Sequence, residues 1–411
     1  MKIAVLADFH LGFSIRPELE NDPFLNAKEA IEKALDCDLI LIAGDIFDTR
    51  SPKPKVWYNA LRLLSLPLKK PSNVKLVKCT KELPEIVKRR TLSHLPVVAI
   101  HGNHERVPKG EVNPLKILEG AGLLIYLHTD TIIFEKNGVK VAIHAMSHVP
   151  ERFAYDFLKN WNPKPLEDCI NLLLLHQSIE PYVYSPIEMP TLNVSNLPKD
   201  FDLIVNGHIH IHAVEKLGKT TLVIPGSTVI TQFQPSESQV KKGFVKIFIE
   251  DSKIRIKFVE LENQREFCYK ELRLPKTNAK NYVEGEIEKL IKRSKGKPVL
   301  KLKIIGEYTD ITDRDIRDLE KKFKEKCIIL FSKELISPEI KEKIEILRSL
   351  REEKKSIREM GMSLLKETLK VLGFGWSFDF ETILHLLEEK EVEKAMELLL
   401  GEQKTLLGWF K

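Results

Sequence analysis

The chain contains the segment Leu39-Ile-Leu-Ile-Ala-Gly-Asp-Ile-Phe-Asp48, in which five apolar residues are followed at once by a glycine and an aspartate, with a second aspartate three residues further on. A short, continuous apolar run is typical of a strand that is buried on both faces of its sheet. In open α/β sheets, sites assemble beyond the carboxyl ends of such strands. The segment therefore predicts an α/β sheet that carries chemistry where Asp45 and Asp48 follow the strand.

Four other segments repeat this arrangement, because each ends an apolar run in carboxylate, amide or imidazole side chains. They are Ile3–Ala7 before Asp8 and His10, Val97–His101 before Asn103 and His104, Leu172–Leu175 before His176, and Leu203–Asn206 before His208 and His210. A single motif of this kind is weak evidence for a ligand. Five in one chain, all after predicted strands, are hard to assign to chance.

The residue types favour metal binding. In Asp-x-His and His-x-His, residues two apart in an extended segment project from the same side and can reach one ion or two adjacent ions. The glycines before Asp45, Asn103 and His208 permit tight turns that a Cβ would hinder. Carboxylate, amide and imidazole ligands without thiolates suit manganese, iron or zinc. These candidate ligands are too many for one tetrahedral ion but suffice for two ions that share a carboxylate.

The order of predicted elements divides the chain into three parts. Residues 1–262 alternate apolar strands with amphipathic helices and include a hairpin turn at Asn137-Gly138. Residues 263–335 follow the order strand, helix, strand, helix, strand, which predicts a small α+β domain. Residues 336–411 carry apolar residues at helical spacing without clear strand signals, so they predict a helical tail that docks on a partner or on its own catalytic domain.

Composition excludes several classes of protein. With 411 residues, 43% apolar and 30% charged, the chain is not intrinsically disordered, and no apolar run approaches the roughly 18 residues of a membrane span. Five scattered cysteines without a Cys-x-x-Cys pair argue against disulfides and predict a reducing cytosol. The net charge of +6 permits a polyanionic partner. The chain is rich in Lys and Glu and has only six Gln, a composition that is also seen in hyperthermophile proteins.

The five blocks resemble the calcineurin-like metallophosphoesterases, whose pattern reads D-x-H, G-D-x-x-D, G-N-H-[DE], H and G-H-x-H in that order. The match covers about residues 1–230. Within that superfamily, the chain resembles the SbcD and meiotic-recombination-eleven nucleases, the nuclease subunits of the complex that repairs DNA double-strand breaks. The segments that carry this similarity are Asp8–Gly12, Gly44–Thr49, Leu175–Ser178, Gly207–His210 and Pro225–Thr228.

The resemblance implies a layered αββα core, an α+β capping domain and a C-terminal helical tail. It also implies a two-manganese site, with magnesium, iron and zinc as alternatives. One ion would be held by Asp8, His10, Asp45 and His210, and the other by Asp45, Asn103, His176 and His208. His104 would face the scissile phosphate as a catalytic residue, and Asp48 would either orient a ligand or be purely structural.

The implied activity is a 3′-to-5′ double-strand exonuclease and single-strand endonuclease in a cytoplasmic, prokaryotic repair complex. The implied partners are DNA, an SMC-like zinc-hook ATPase bound by the C-terminal helices, and a second copy of the chain. The candidate dimer helices are Val56–Leu66 and Asn113–Leu118. The rival functions are a phosphoesterase acting on another phosphodiester or a phosphoprotein, and a non-catalytic scaffold for the ATPase.

Two regions are candidates for contact with DNA. Phe13, Ser14 and Arg16 follow the first motif, where a substrate strand could pass the ions. Lys88, Arg89 and Arg90 end the basic stretch, residues 69–90, which lies between Asp48 and Asn103 in a segment longer than the resemblance leads us to expect. The basic stretch is either a surface for DNA approach or a solvated loop.

Overall fold

The computed structural model describes residues 1–108, 110–182, 192–250, 253–275, 277–305 and 311–334, with five single positions beyond them at 382, 386, 392, 394 and 396. The predicted tail, residues 336–411, otherwise lies outside the described residues. Every residue of the site described below belongs to one compact unit, formed by Met1–Glu271, Val283–Lys303 and Asp313–Ser332. The domain boundaries at 262 and 335 stay predictions.

A six-stranded sheet contains three of the predicted strand-end segments. In order across the sheet, its strands are β15 (Lys253–Glu260), β14 (Gly243–Glu250), β1 (Lys2–Leu6), β2 (Leu39–Ala43), β4 (Val97–Ile100) and β5 (Ile125–Tyr126). Strands β1, β2, β4 and β5 are parallel, and β14 and β15 complete the sheet as an antiparallel pair. Three ligand-bearing segments therefore leave the sheet at the same edge.

A seven-stranded sheet contains the other two strand-end segments. Across the sheet, its strands are β12 (Ala213–Leu217), β13 (Thr220–Ile224), β11 (Leu203–Asn206), β8 (Ile170–Leu175), β7 (Val139–Met146), β6 (Asp130–Lys136) and β3 (Lys75–Cys79). Strands β7, β8, β11 and β13 are parallel. The predicted hairpin joins β6 to β7, with positive φ at both Asn137 and Gly138 as this two-residue turn requires.

Helices cover the outer faces of the two sheets. Along β1, Ile3 and Val5 pack between the sheets, while Ala4 and Leu6 pack against helices, because successive side chains of a strand alternate in direction. The helices on the first sheet are α1 (Asp22–Ala34), α2 (Pro54–Leu64) and α4 (Pro114–Gly120), and the helix on the second sheet is α5 (Glu151–Trp161). The predicted αββα layering is confirmed.

The predicted α+β region has the expected order of elements. Strands β16 (Phe267–Arg273), β17 (Val299–Ile305) and β18 (Ile328–Glu334) form a three-stranded sheet, and the helices between them are α6 (Ala279–Arg293) and α7 (Asp313–Phe323). Two further short strands, β9 (Ile179–Glu180) and β10 (Leu192–Asn193), pair in parallel. None of the helices in the described part of the chain has the length and apolar character that crossing a membrane requires.

The basic stretch is not a loop, so that part of the interpretation was wrong, although most of its charged side chains are exposed to solvent. It contains β3, which pairs with β6 at the edge of the second sheet, and a short helix, α3 (Glu85–Arg89). Leu83 and Val87 bury their side chains in the core between the sheets. The exposed lysines of β3 protect an edge strand from pairing with other chains, and they also hide the strand pattern in the sequence.

Candidate metal centre

The ends of β1 and β2 are joined by main-chain hydrogen bonds that place their polar residues side by side. The Asp8 amide donates to Gly44 O at 3.1 Å, and the His10 amide donates to Asp45 O at 3.0 Å. Asp8, His10, Asp45 and His208 all have positive φ, between 47° and 74°. Residues held in this sparsely populated region cluster at functional sites.

Two glycines make room for this convergence. Gly44 has φ of +91°, and a Cβ there would lie 2.2 Å from His176 Nδ1. A Cβ at Gly102 would lie 2.1 Å from Asp45 Oδ1. Both glycines therefore allow strand ends to approach closely where a Cβ would clash. Gly44 also has the left-handed backbone of a tight turn, as the sequence predicts.

The first ligand cluster consists of Asp8, His10 and His210, whose ligand atoms lie within 4.8 Å of one another. His10 Nδ1 lies 3.1 Å from Asp48 Oδ1, and His10 Nε2 lies 3.0 Å from His210 Nε2. A neutral His10 that donates from Nδ1 to Asp48 presents only a lone pair at Nε2. Two imidazole nitrogens therefore point at the same place, as they would around a shared cation.

The second ligand cluster lies around His176. His176 Nδ1 lies 2.7 Å from Ala43 O, which can only accept, so Nδ1 carries a proton, and in the neutral ring Nε2 carries a lone pair. That lone pair faces Asn103 Oδ1 at 3.1 Å and Asp45 Oδ2 at 3.3 Å. His208 Nδ1 lies 3.2 Å from the same amide oxygen. Acceptors that converge in this way repel one another unless a cation lies among them.

Two buried carboxylates lie between the clusters. Among the described residues, Asp8 Oδ2 is a buried atom without a hydrogen-bond partner. Burial raises the pKa of Asp8 to about 8, with the Asp45 charge contributing to the rise and His176 opposing it. Burial also opposes ionisation of Asp45, but His176 and His10 hold the pKa of Asp45 well below its usual range. A buried ionised carboxylate and an unpartnered oxygen fit divalent cations.

His104 differs from the other histidines of the centre because 38% of its side chain is exposed. Its main-chain amide donates to Asp45 Oδ1 at 3.1 Å, and its ring Nδ1 donates to Asp48 O at 2.8 Å. A ring nitrogen of His104 also lies within 4.8 Å of ligand atoms of His10 and Asp45. Since Nδ1 is already donating, Nε2 is the nitrogen that remains for a substrate.

Sequence reasoning missed Glu105 as part of the centre. Its buried carboxylate accepts from the Phe47 amide at 2.9 Å and from the Gly102 amide at 3.0 Å, so it ties the loop after β2 to the loop after β4. Burial and the nearby Asp45 raise the pKa of Glu105 to about 8. The signal for Glu105 in the sequence was its position at the end of the Gly102–Glu105 motif.

The first candidate DNA-contact region lies just after β1. The Phe13 ring stacks on Phe233 with ring centroids 6.5 Å apart, and the Arg16 guanidinium pairs with Glu320 at 2.8 Å. The Ser14 hydroxyl donates to Arg16 O at 2.5 Å. Arg16 therefore joins the loop after the first motif to the α+β region, and 41% of its side chain remains exposed.

The second candidate DNA-contact region is not brought to the metal centre. Lys88 and Arg89 both pair with Glu85, and Arg90 donates to Ala121 O at 2.9 Å. Strand β3, which precedes these residues, is three strands away from β8 in the second sheet.

Comparison with known proteins is consistent with this geometry. Residues 1–212 match the family described as calcineurin-like phosphoesterase. The chain is 26% identical to the DNA double-strand break repair protein Mre11 of Methanopyrus kandleri over 324 residues, which is 72% of this chain and 65% of the relative. Identity is 27% to the double-strand break repair protein mus-23 of Neurospora crassa and 28% to Mre11 of Methanococcus maripaludis.

These alignments cover 66% of this chain and 40% of the Neurospora protein, and 59% of this chain and 61% of the Methanococcus protein. The chain therefore spans about two fifths to two thirds of the length of the curated relatives it matches. Since the relatives include archaeal and eukaryotic proteins, the comparison does not single out a prokaryotic source.

Proposed function

The chain belongs to the calcineurin-like phosphoesterase family, and on that premise we propose that it is a two-metal DNA nuclease that acts in double-strand-break repair. The observation that supports this most is the convergence of lone pairs from His176, Asn103 and Asp45 beside the first ligand cluster. The relatives named for double-strand-break repair favour DNA as the phosphodiester.

The proposed ions are two Mn²⁺ with Asp45 between them. The first would bind Asp8, His10, Asp45 and His210, and the second would bind Asp45, Asn103, His176 and His208. Bound divalent ions of this kind supply a hydroxide near neutral pH and offset the negative charge of a phosphodiester transition state. The chain contributes ligands whose outer nitrogens are fixed, as in the donation of His176 Nδ1 to Ala43 O.

We propose His104 as the catalytic residue that faces the scissile phosphate. Donation from Nδ1 to Asp48 O fixes the ring, so a protonated His104 would donate from Nε2 to a phosphate oxygen or to the departing sugar oxygen. Asp48 would orient the centre, since its side chain accepts from His10 and its main chain accepts from His104.

DNA would approach along Phe13, Ser14 and Arg16, which follow His10 in the loop after the first motif, with Lys88, Arg89 and Arg90 as an outer surface for phosphate contact. The proposed polarity, 3′-to-5′ on duplex ends with endonuclease activity on single strands, is taken from the resemblance. The cytoplasmic, prokaryotic and thermophilic setting also stays a prediction.

The proposed partners are a second copy of the chain and an SMC-like ATPase. Helices α2 and α4 expose Tyr58, Leu61 and Ile117, which suits a dimer surface within the predicted segments Val56–Leu66 and Asn113–Leu118. The predicted ATPase-binding surface belongs to the tail, of which the structure describes only single positions such as Met396.

The proposal is tested by incubating the purified chain and its His104→Ser variant with Mn²⁺ and three substrates: linear duplex DNA, a phosphopeptide and a cyclic dinucleotide. We expect manganese-dependent release of nucleotides from DNA by the parent chain and a release slower by about 10²- to 10⁴-fold from the variant. Cleavage of only the phosphopeptide or the cyclic dinucleotide would contradict a nuclease and favour another phosphoesterase. Inactivity on all three would favour a scaffold.

A further inference from the structure

A buried ion pair lies beneath His210. Lys242 Nζ and Glu237 Oε1 are 2.7 Å apart, and only 1% and 4% of their side chains are exposed. Removing two charges from water is so costly that a buried ion pair is weak evidence for stability. The role of this pair is therefore better inferred from the groups that it holds in place than from its contribution to stability.

Lys242 holds the main chain at His210. Its ammonium donates to three acceptors, which are His210 O at 3.0 Å, Ser227 Oγ at 2.9 Å and the Glu237 carboxylate at 2.7 Å. A lysine ammonium has three protons, so all of them are engaged. One cation thereby joins the end of the fifth motif to the loop that follows β13.

Glu237 holds that loop from the other side. Its second carboxylate oxygen accepts from the Gln232 amide at 2.9 Å and from the Phe233 amide at 3.0 Å. The preceding residue, Thr231, has its hydroxyl oxygen 2.9 Å from His210 Nδ1, in position to accept the ring proton. The pair therefore holds His210 twice, through its carbonyl and through its ring.

The second ligand cluster is supported differently. The His176 ring is oriented by Ala43 O, a main-chain group at the end of β2. Its orientation therefore follows from the parallel sheet itself, whereas the orientation of His210 depends on side chains of a loop. This asymmetry predicts that the two ions respond differently to the loss of Lys242.

We propose that Lys242 and Glu237 form a positioning pair that keeps His210 Nε2 directed at the first ion, the one held with Asp8 and His10. This inference rests on the proposed two-metal function.

The test is a manganese titration of the whole chain, followed by electron paramagnetic resonance and by equilibrium dialysis, in Lys242→Met and in the matched control Lys241→Met. Lys241 is the adjacent residue, but its side chain is 68% exposed and pairs with Glu260 at the surface. We expect Lys242→Met to weaken one of two manganese sites by roughly 10- to 100-fold, the usual effect of losing a group that orients a ligand. The other site and the control should match the parent chain.

A second variant addresses the chance that Lys242→Met does not fold, because it leaves the Glu237 carboxylate buried without its partner. Thr231→Val keeps the shape of the side chain and removes only the hydroxyl near His210 Nδ1. We expect it to weaken the same single site by about tenfold, while thermal unfolding of the metal-free chain shows a folded protein. A spectrum that changes from two coupled ions to one isolated ion supports the proposal.

Two results would overturn the inference. One is unchanged binding at both sites in folded Thr231→Val, and the other is equal weakening at both sites in that variant. Neither would affect the nuclease assignment. Conversely, a parent chain that binds two manganese ions and cleaves no DNA contradicts the proposed function while the positioning pair remains testable by binding.

Discussion

The metal centre and the basic stretch are both rich in ionisable side chains, but their polar groups are satisfied in opposite ways. At the centre, His176 Nε2 faces two oxygen acceptors, and the buried Asp8 Oδ2 has no partner among the described residues. In the basic stretch, Lys88 and Arg89 share the Glu85 carboxylate at the surface.

This difference distinguishes buried polar groups that bind a ligand from exposed polar groups that are only solvated. Buried polar groups in native proteins are nearly always hydrogen-bonded, so a cluster of buried acceptors that face one another indicates a binding site for a cation. Exposed cations with their own acidic neighbours indicate no particular ligand, since such pairs contribute little to stability and are screened by salt. Density of charge alone does not identify a site.

The largest expected effect comes from Asp45→Asn, because Asp45 is the carboxylate between the two clusters. The amide keeps the shape but removes the negative charge that both ions need. We expect both manganese sites to be lost to dialysis and nuclease activity to fall by at least about 10³-fold, since each 1.4 kcal/mol of lost transition-state stabilisation is a factor of ten.

Asp48→Asn is the matched control for that variant. Asp48 lies in the same loop and contacts His10, but it belongs to none of the ligand groups. Its loss should weaken metal binding by roughly 10- to 100-fold. If Asp45→Asn kept both ions, the buried carboxylate would not be a metal ligand. The proposed difference between the centre and the basic stretch would then be contradicted.

The next largest effect is expected from His104→Ser, which separates chemistry from binding within the centre. The His104 ring is exposed and is held by Asp48 O, so removing it should leave the buried ligands in place. Cleavage should fall by about 10²- to 10⁴-fold, the usual contribution of a general acid. Manganese stoichiometry should match the parent chain. Normal cleavage by this variant would remove His104 from the mechanism.

Much of the centre could be predicted because parallel strands place their carboxyl ends at one edge. The runs before Asp45 and His176 indicated buried strands, and the structure brings both residues together. Lys242 could not be predicted as a support, and Glu105 could be predicted only as a member of its motif, because their partners depend on which loops meet in space. Strand β3 was missed because its exposed lysines interrupt the apolar pattern that indicates a strand.

A smaller effect is expected when the basic stretch is neutralised by Lys88→Ala, Arg89→Ala and Arg90→Ala together. If these residues contact phosphates, the slope of log affinity for duplex DNA against log salt should become shallower by up to about 3, since each contact contributes about 0.9. Cleavage at saturating DNA should be unchanged. The control is Lys253→Ala with Lys257→Ala on β15, at the edge of the other sheet. An unchanged slope would leave the basic stretch without a role in DNA binding.

The smallest effect concerns His144, a buried histidine whose two ring nitrogens are both satisfied, at 3.0 Å by Thr131 Oγ1 and at 3.3 Å by Asn171 Oδ1. Burial lowers its pKa against the opposing effect of the hydrogen bond to Asn171. Below about pH 6.5 the unfolded chain therefore binds a proton that the folded chain excludes, so the free energy of unfolding decreases as the pH falls.

Urea unfolding at pH 7.5 and 5.5 should show that His144→Gln reduces this decrease by at most about 1.4 kcal/mol per pH unit. The reduction should be the same with and without Mn²⁺, because His144 has partners within the protein; a reduction that required the metal would contradict the distinction between satisfied histidines and ligand histidines.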